Sequence, residues 1–403
     1  MSAPRRILLA DADAFYVSVA RLVDPEGAGR AECLIVGGSS RQRGVVTSAS
    51  YEARKFGVTS AMPMARAIRL CPQATVVPVP FEACAEKSRQ IREVLERHAP
   101  VVEAASQDEA YLDLTGTERL YHDEPLEVTA RRIREDVLRV TRISVSIGGG
   151  TSRLVAKMAA TRAKPGGVHI VPPGAELEFM RGFRLGDIPG VGARFQERLA
   201  RWNLDTVEQA LAAGPDRLRD WLGNREGLWL WEACHGIGSR HVEPKTRNRS
   251  ISRDETFAED IDDDTELERL LIPLVDRAAS DLREHGLGAR TISVHIRDWD
   301  FTSRLANRTV PAAVISDRAI LRIARELLKK LRRARPVPAR LLGVKLSKLE
   351  EEGEPRDQLA LLEAPQAGAE TAKDRAVAEV VDKLRGRLGE GAIALGREPR
   401  RRG

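Results

Sequence analysis

Four acidic side chains pose the first chemical question. Asp11 ends a short apolar run, Ile7-Leu8-Leu9-Ala10, and Asp13 follows two residues later. Far along the chain, Asp108 and Glu109 stand together ahead of Ala110-Tyr111-Leu112. A carboxylate at a strand end is held firmly yet reaches solvent, which suits a hard cation. Each feature alone has a plainer reading: Asp13 as a helix N-cap, Asp108-Glu109 as a solvated turn. Taken together, three carboxylates without a neighbouring His or Cys favour Mg²⁺ over zinc or copper. Two such ions would clamp the attacking and leaving oxygens of a phosphoryl transfer. Consecutive strand residues face opposite sides, so Asp108 and Glu109 share a site only if the backbone turns there.

The elements needed to position these acids are legible nearby. Ile7–Ala10 reads as a buried strand, with further strands at Val45-Val46, Val76-Val77, Ala110–Leu114 and Ile143–Ile147. Helical spacing runs over Glu82–His98. Gly148-Gly149-Gly150 is expected to break the chain before a helix over about Ser152–Arg162, which Lys164-Pro165-Gly166-Gly167 closes. Residues 171–237 are helical and rich in Leu and Trp, and 238–250 form a polar, basic tether. Residues 251–349 follow the order βαββαβ, and an acidic tail begins at Glu350, with helical spacing near Ala376–Leu388.

Composition narrows the function classes. The chain has 403 residues, 42% hydrophobic and 31% charged, so several globular domains are expected. No apolar run approaches the ~18 residues of a membrane helix, and the N-terminal apolar run is too short for a secretory signal. The four cysteines form no CxxC pair, which fits a reducing cytoplasm. Net charge is +6, 54 of the 65 basic residues are Arg, and residues 236–349 hold 23 basic against 17 acidic side chains. A polyanion partner is the natural expectation, since the Arg fork suits phosphate.

Several motifs in one order carry a resemblance. Asp11-Ala12-Asp13-Ala14-Phe15-Tyr16, Ser48-Ala49-Ser50-Tyr51-Glu52-Ala53-Arg54-Lys55-Phe56-Gly57-Val58 and Ser106–Asp113 resemble the Y-family DNA polymerases, in the bacterial DNA polymerase IV (DinB) branch. The similarity continues through Ala156-Lys157, Lys164–Gly167 and Ile188-Pro189-Gly190-Val191-Gly192, over about residues 5–349. It implies a multidomain α+β right hand: a palm with a ferredoxin-like sheet (1–13 and 80–170), fingers (14–79) and a thumb with a helix-hairpin-helix (171–237). The tether (238–250), a βαββαβ little finger (251–349) and a tail with a clamp-binding peptide (350–403) complete it.

The resemblance also implies roles. Asp11, Asp108 and Glu109 would be catalytic and hold two Mg²⁺ ions, Ala12 lending its backbone carbonyl, with Asp13 in support. Tyr16 would be a steric gate against the ribose 2′-hydroxyl, a device that excludes ribonucleotides. Phe15, Ser48, Tyr51, Arg54 and Lys164 would line the nucleotide site, with Phe15 mainly a packing residue; Arg43, Lys55 and Lys157 are left without firm roles. Ser48, Ser50, Ser152-Arg153 and Ala12 depart from the residues most common in the family, which bears on fidelity and nucleotide preference.

For DNA, Gly190 and Gly192 would let backbone N–H groups approach a phosphate, although a Pro-Gly turn between helices is also common. The helix Asp317–Arg335 carries a net +6, and with Arg247 and Arg249 of the tether its Arg332 and Arg333 are expected to follow the DNA backbone. Gln358-Leu359-Ala360-Leu361-Leu362 resembles the peptide by which bacterial polymerases dock on the sliding clamp. The expected activity is template-directed, low-fidelity translesion synthesis by a cytoplasmic monomer that binds primer-template DNA, dNTPs and the clamp, with no membrane association. A catalytically silent DNA- and clamp-binding scaffold and a palm-fold nucleotide cyclase are the rival readings.

Overall fold

The computed structural model describes residues 4–244, 248–351, 370–389 and 393. It divides into two units, residues 1–40 with 44–245, and residues 41–43 with 246–403. In the first, β1 (Ile7–Ala12) and α1 (Phe15–Val23) precede a small sheet built from β2 (Leu34–Gly37), β3 (Val46–Ala49) and, after α2 (Tyr51–Lys55) and α3 (Met64–Leu70), β4 (Thr75–Val77). Then come α4 (Phe81–Glu96), β5 (Val101–Ala104), β6 (Glu109–Asp113), α5 (Leu126–Thr141), β7 (Val145–Gly150), α6 (Arg153–Ala163) and β8 (Val168–Ile170). The helices α7 (Glu176–Arg181), α8 (Ala193–Ala200), α9 (Val207–Leu222) and α10 (Asn224–Cys234) share a separate apolar core.

The strand order of the larger sheet is β5-β6-β1-β7-β8, with β1 antiparallel to both of its neighbours. Because β1 lies in the middle, both of its faces are covered. Leu8, Ala10 and Ala12 pack with Ile91, Leu95, Ile133 and Val137 of α4 and α5, whereas Ile7 and Leu9 meet Ala156 and Ala160 of α6. Each fully buried Leu or Ile contributes about 1.5–3 kcal/mol. The alternation puts Asp11 on the α6 face.

The three glycines do not break the chain: Gly148-Gly149-Gly150 form the second half of β7. A Cβ at Gly148 would stand 1.9 Å from Ala160 N and 2.2 Å from Ala156 O, so a missing side chain is what lets α6 lie directly on the sheet. Ser152 caps α6 by accepting from Val155 N, as its place before an apolar run suggests.

The second unit runs β9 (Ser250–Ile261), α11 (Asp264–Glu284), β10 (Leu287–Asp298), β11 (Ser303–Val314), α12 (Asp317–Ala334), β12 (Ala339–Glu351), the expected βαββαβ order. Its antiparallel sheet, β11-β10-β12-β9, buries Ile292, Val294, Ile296, Leu342, Val344 and Leu346 under α11 and α12. The opposite face is polar, with Ser293, Asn307, Lys345 and Ser252 side by side in register. Asp254 on that face meets His295 Nε2 at 3.0 Å over Gly343, whose Cβ would lie 2.0 Å from Asp254 Oδ1.

A further helix, α13 (Ala372–Leu388), docks on this unit through charge. Arg283 pairs with Asp382 at 2.6 Å, Arg385 with Asp276 at 2.8 Å, and Glu370 accepts from Ile315 N and Ser316 N at the start of α12. Its apolar Val377, Val380 and Leu388 are exposed. The acidic tail of the sequence reading therefore ends in a packed helix. No helix among the described residues is long and apolar enough to cross a membrane.

Candidate active site

The antiparallel register of β1 and β6 sets Asp11 opposite Glu109. Both acids therefore point to the same face of the sheet. The chain bends through residues 106–108, with Ala105 N and Ser106 N both reaching Glu109 O. This is the turn that Asp108 and Glu109 need in order to serve one site. Asp108 is tied back to β1, since its carbonyl accepts from Ala12 N at 2.9 Å.

Each carboxylate has its own partner. Lys164 Nζ lies 2.6 Å from Asp11 Oδ1, Lys157 Nζ lies 2.5 Å from Glu109 Oε1, and Ser106 Oγ donates to Asp108 Oδ1 at 2.5 Å. Burial pushes the Asp11 carboxyl up to about 6, against the pull of Lys164. Burial disfavours the Lys157 ammonium, but the hydrogen bond and charge of Glu109 outweigh it and hold its pKa above the ordinary lysine value. Among the described residues no three acid, His or Cys side chains are gathered closely enough to hold a metal as they stand. The donor chemistry nevertheless fits a hard divalent cation: the ligands are carboxylate oxygens, and two of the three already carry a cation.

Asp13 is not part of that set. It is buried and accepts from Ser144 Oγ and Ser146 Oγ, both at 2.7 Å, and from Gly166 N at 2.9 Å. It thereby pins the loop that follows α6 to the start of β7, and this loop delivers Lys164 to Asp11. At Ala14 the backbone is left-handed, φ 43°, a costly conformation for a residue with a Cβ. The turn swings the chain into α1. Phe15 then faces the core at 1% exposure, as a packing residue would, while the Tyr16 hydroxyl reaches Gln107 Oε1 at 3.4 Å. Burial, and then Asp108, raise the Tyr16 pKa.

The remaining expected nucleotide residues sit on β3 of the small sheet and on the helix α2 that follows it. Ser48 is buried in β3, and Ser50 caps α2. Arg54 lies over the Tyr51 ring at 4.9 Å and donates to Ala49 O. The Tyr51 hydroxyl is buried beside Asp13 and borders a cleft that Asp13, Ser144 and Gly166 also line.

Of the expected DNA residues, Gly190 has φ 102°, a conformation glycine adopts freely, and nothing stands within 4 Å of where a Cβ on Gly192 would point. Ile188 and Val191 anchor this turn in the core. Arg249 and Arg333 are exposed. Arg332 is not available: it is 5% exposed, pairs with Asp262 at 2.9 Å and with Asp264, and donates to Val337 O. Arg247 and the peptide Gln358–Leu362 lie outside the described residues. Lys157, left without a firm role by the sequence, is brought to Glu109 by its place on the helix face that the β7 glycines draw against the sheet.

Comparison with known proteins agrees with this arrangement. The chain matches the impB/mucB/samB family over residues 10–161 and that family's C-terminal domain over 248–361. Residues 186–238 match a thumb domain described for DNA polymerase-iota. The DNA polymerase IV of Caulobacter vibrioides is 35% identical over 392 residues, covering 96% of this chain and 92% of that protein. A Y-family DNA polymerase chimera of Dbh and Dpo4 superposes with a TM-score of 0.76 at 26% identity, covering 86% of this chain and 99% of its own. An insertion ternary complex of Dbh DNA polymerase gives 0.61 at 25% identity over 86% of this chain and 99% of that one. The chain belongs to the impB/mucB/samB family, the Y-family DNA polymerases, in the DNA polymerase IV branch.

Proposed function

We infer that the chain is a template-directed DNA polymerase of the translesion type, extending a primer 3′ end with dNTPs and releasing pyrophosphate. The observation that carries this reading is the facing of Asp11 and Glu109 across β1 and β6, with Asp108 hydrogen-bonded into the same strand end. Asp11, Asp108 and Glu109 would hold two Mg²⁺ ions, with the Ala12 carbonyl as a further ligand. Bound there, the ions would activate the primer hydroxyl and neutralise charge on the transferring phosphate. Lys164, Arg54 and the Tyr51 hydroxyl are assigned to the triphosphate, where fixed cations and donors favour developing charge. Tyr16 closes the sugar site. The three retained carboxylates disfavour a silent scaffold, and the thumb and C-terminal domains disfavour a cyclase.

Residues 1–13 and 80–170 are proposed as palm, 14–79 as fingers, 171–237 as thumb, 238–250 as tether, 251–349 as little finger and 350–403 as tail. The turn at Gly190-Val191-Gly192 would hold duplex phosphate at the start of α8. Arg249 and Arg333 remain candidate backbone contacts. The polar sheet face with Lys345, Arg297 and Ser293 is the better candidate in the little finger, because the other face is covered by α11 and α12. Such contacts place DNA without reading its sequence. Cytoplasmic location, a monomeric state and clamp docking through residues 358–362 belong to the same proposal. Deleting that peptide should spare synthesis on short primers and remove clamp stimulation; retained stimulation refutes the docking.

The deciding experiment is primer extension with Mg²⁺ by Asp108→Asn. Loss of the metal clamp is expected to cost several kcal/mol, ~10³-fold or more in rate, with duplex binding intact. Extension within a few-fold of the unaltered enzyme would overturn the assignment.

A further inference from the structure

Lys157 has no task in the scheme above, yet it is placed with care. The close approach of α6 to Gly148 brings this helix over the acidic strand ends. Lys157 Nζ then reaches Glu109 Oε1 at 2.5 Å, while Lys164 reaches Asp11 from beyond the end of the same helix. Asp11 and Glu109 face each other in register, and two carboxylates held together out of bulk water repel unless a cation lies between them. A divalent ion supplies that cation in the loaded enzyme. Without it, the two ammonium groups do.

We propose that Lys157 is a positioning residue that stands in for the divalent cation at Glu109, so that loading the site is an exchange of one cation for another. This rests on the reading of Asp11, Asp108 and Glu109 as metal ligands. The Lys157 and Glu109 side chains are 29% and 23% exposed, so the ammonium can swing out without unpacking the core. An ammonium carries one charge where the entering ion carries two, so the exchange leaves the cleft more positive until an anion arrives. A triphosphate supplies that anion. Lys157 therefore holds back metal binding most strongly when no nucleotide is present, and keeps Glu109 aimed into the site meanwhile.

The test is Mn²⁺ binding to the full-length protein without nucleotide, followed by the paramagnetic signal of the free ion. Lys157→Met and Lys157→Gln should each bind Mn²⁺ roughly three- to tenfold more tightly, the effect of removing one partly buried competing ion pair, and Lys157→Arg should match the unaltered protein. The metal-free Lys157→Met protein should also melt at lower temperature, with the difference shrinking at saturating Mn²⁺. Unchanged or weaker Mn²⁺ binding by both Met and Gln variants, each with native circular dichroism, overturns the exchange. So does failure of both variants to fold at saturating Mn²⁺, which would make Lys157 a core support. Asp11→Asn separates the two levels of argument: if it leaves Mn²⁺ affinity untouched, the metal-site reading fails first, whatever Lys157 does.

Discussion

Two of the regions where cations meet carboxylates in this protein differ in what the pairing does. At the end of β1, Lys164 and Lys157 each lie on one acid, with side chains about 30% exposed and single contacts of 2.6 and 2.5 Å. Under α12, the Arg332 side chain is 6% exposed and is gripped by Asp262, Asp264 and the Val337 carbonyl at once. The first arrangement can be undone by a stronger ligand at modest cost. The second cannot, because a planar guanidinium with several fixed acceptors loses them together. Charge seen in a sequence is thus ambiguous between a working surface and an internal fastener, and the number of acceptors around each cation resolves it.

The largest effect expected from this contrast is at the fastener. Arg332→Ala removes at once the charge-assisted hydrogen bonds to Asp262, Asp264 and the Val337 carbonyl. It should cost about 3 kcal/mol, since each bond to a charged group contributes ~1.5–3 kcal/mol and the freed carboxylates are largely exposed to water. Urea unfolding followed by circular dichroism should show the loss, while the salt dependence of DNA binding stays as it was. A reduced salt slope with unaltered stability would return Arg332 to the DNA surface.

The gate comes next in size. Tyr16→Ala removes the ring beside the acidic cluster and should relax discrimination against rNTPs by about 100-fold, near 2.7 kcal/mol. Single-nucleotide insertion with dCTP and CTP gives the ratio. The Gln107 contact sharpens the test, because Tyr16→Phe breaks the 3.4 Å hydrogen bond while keeping the ring. Full discrimination in Tyr16→Phe together with its loss in Tyr16→Ala would show that the ring's bulk, and not its hydroxyl, excludes the sugar. Unaltered discrimination in Tyr16→Ala would end the gate reading.

How much of this was legible in the sequence follows from what kind of signal each feature leaves. The acids were found because their motifs stand in a fixed order, and the helix α6 because glycine and proline bound it on both sides, whereas the Ser152 cap was seen only in the structure. The βαββαβ order of the second unit was visible because strand and helix leave different periods. Gly148-Gly149-Gly150 was misread as a breaker because the reason for it lies in α6, which the glycines admit and which local rules do not see. Docking of α13 left no periodic signal, since it is held by Arg283, Arg385 and Glu370 with its Val377 and Val380 exposed. The positive count over Asp317–Arg335 pointed to DNA because a sum of charges ignores partners. Arg332 with Asp262, Lys329 with Glu268 and Arg335 with Asp298 are all paired across elements.

The smallest predicted effect concerns the other face of that second sheet. Arg297 and Lys345 stand on the side away from α11 and α12, among Ser and Thr hydroxyls, and Asp254 beside them is held by His295. If this face follows the DNA backbone, Arg297→Gln and Lys345→Gln should each lower the slope of log affinity against log salt by about 1 and weaken binding a few-fold at moderate salt. Neither should alter sequence preference or urea stability. Fluorescence anisotropy on a primer-template at several salt concentrations reads both quantities. Arg333→Gln is the matching control on exposed α12: a larger slope change there than at Lys345 would move the DNA surface back to the helix, and with it the lesson that paired charges on α12 had been spoken for.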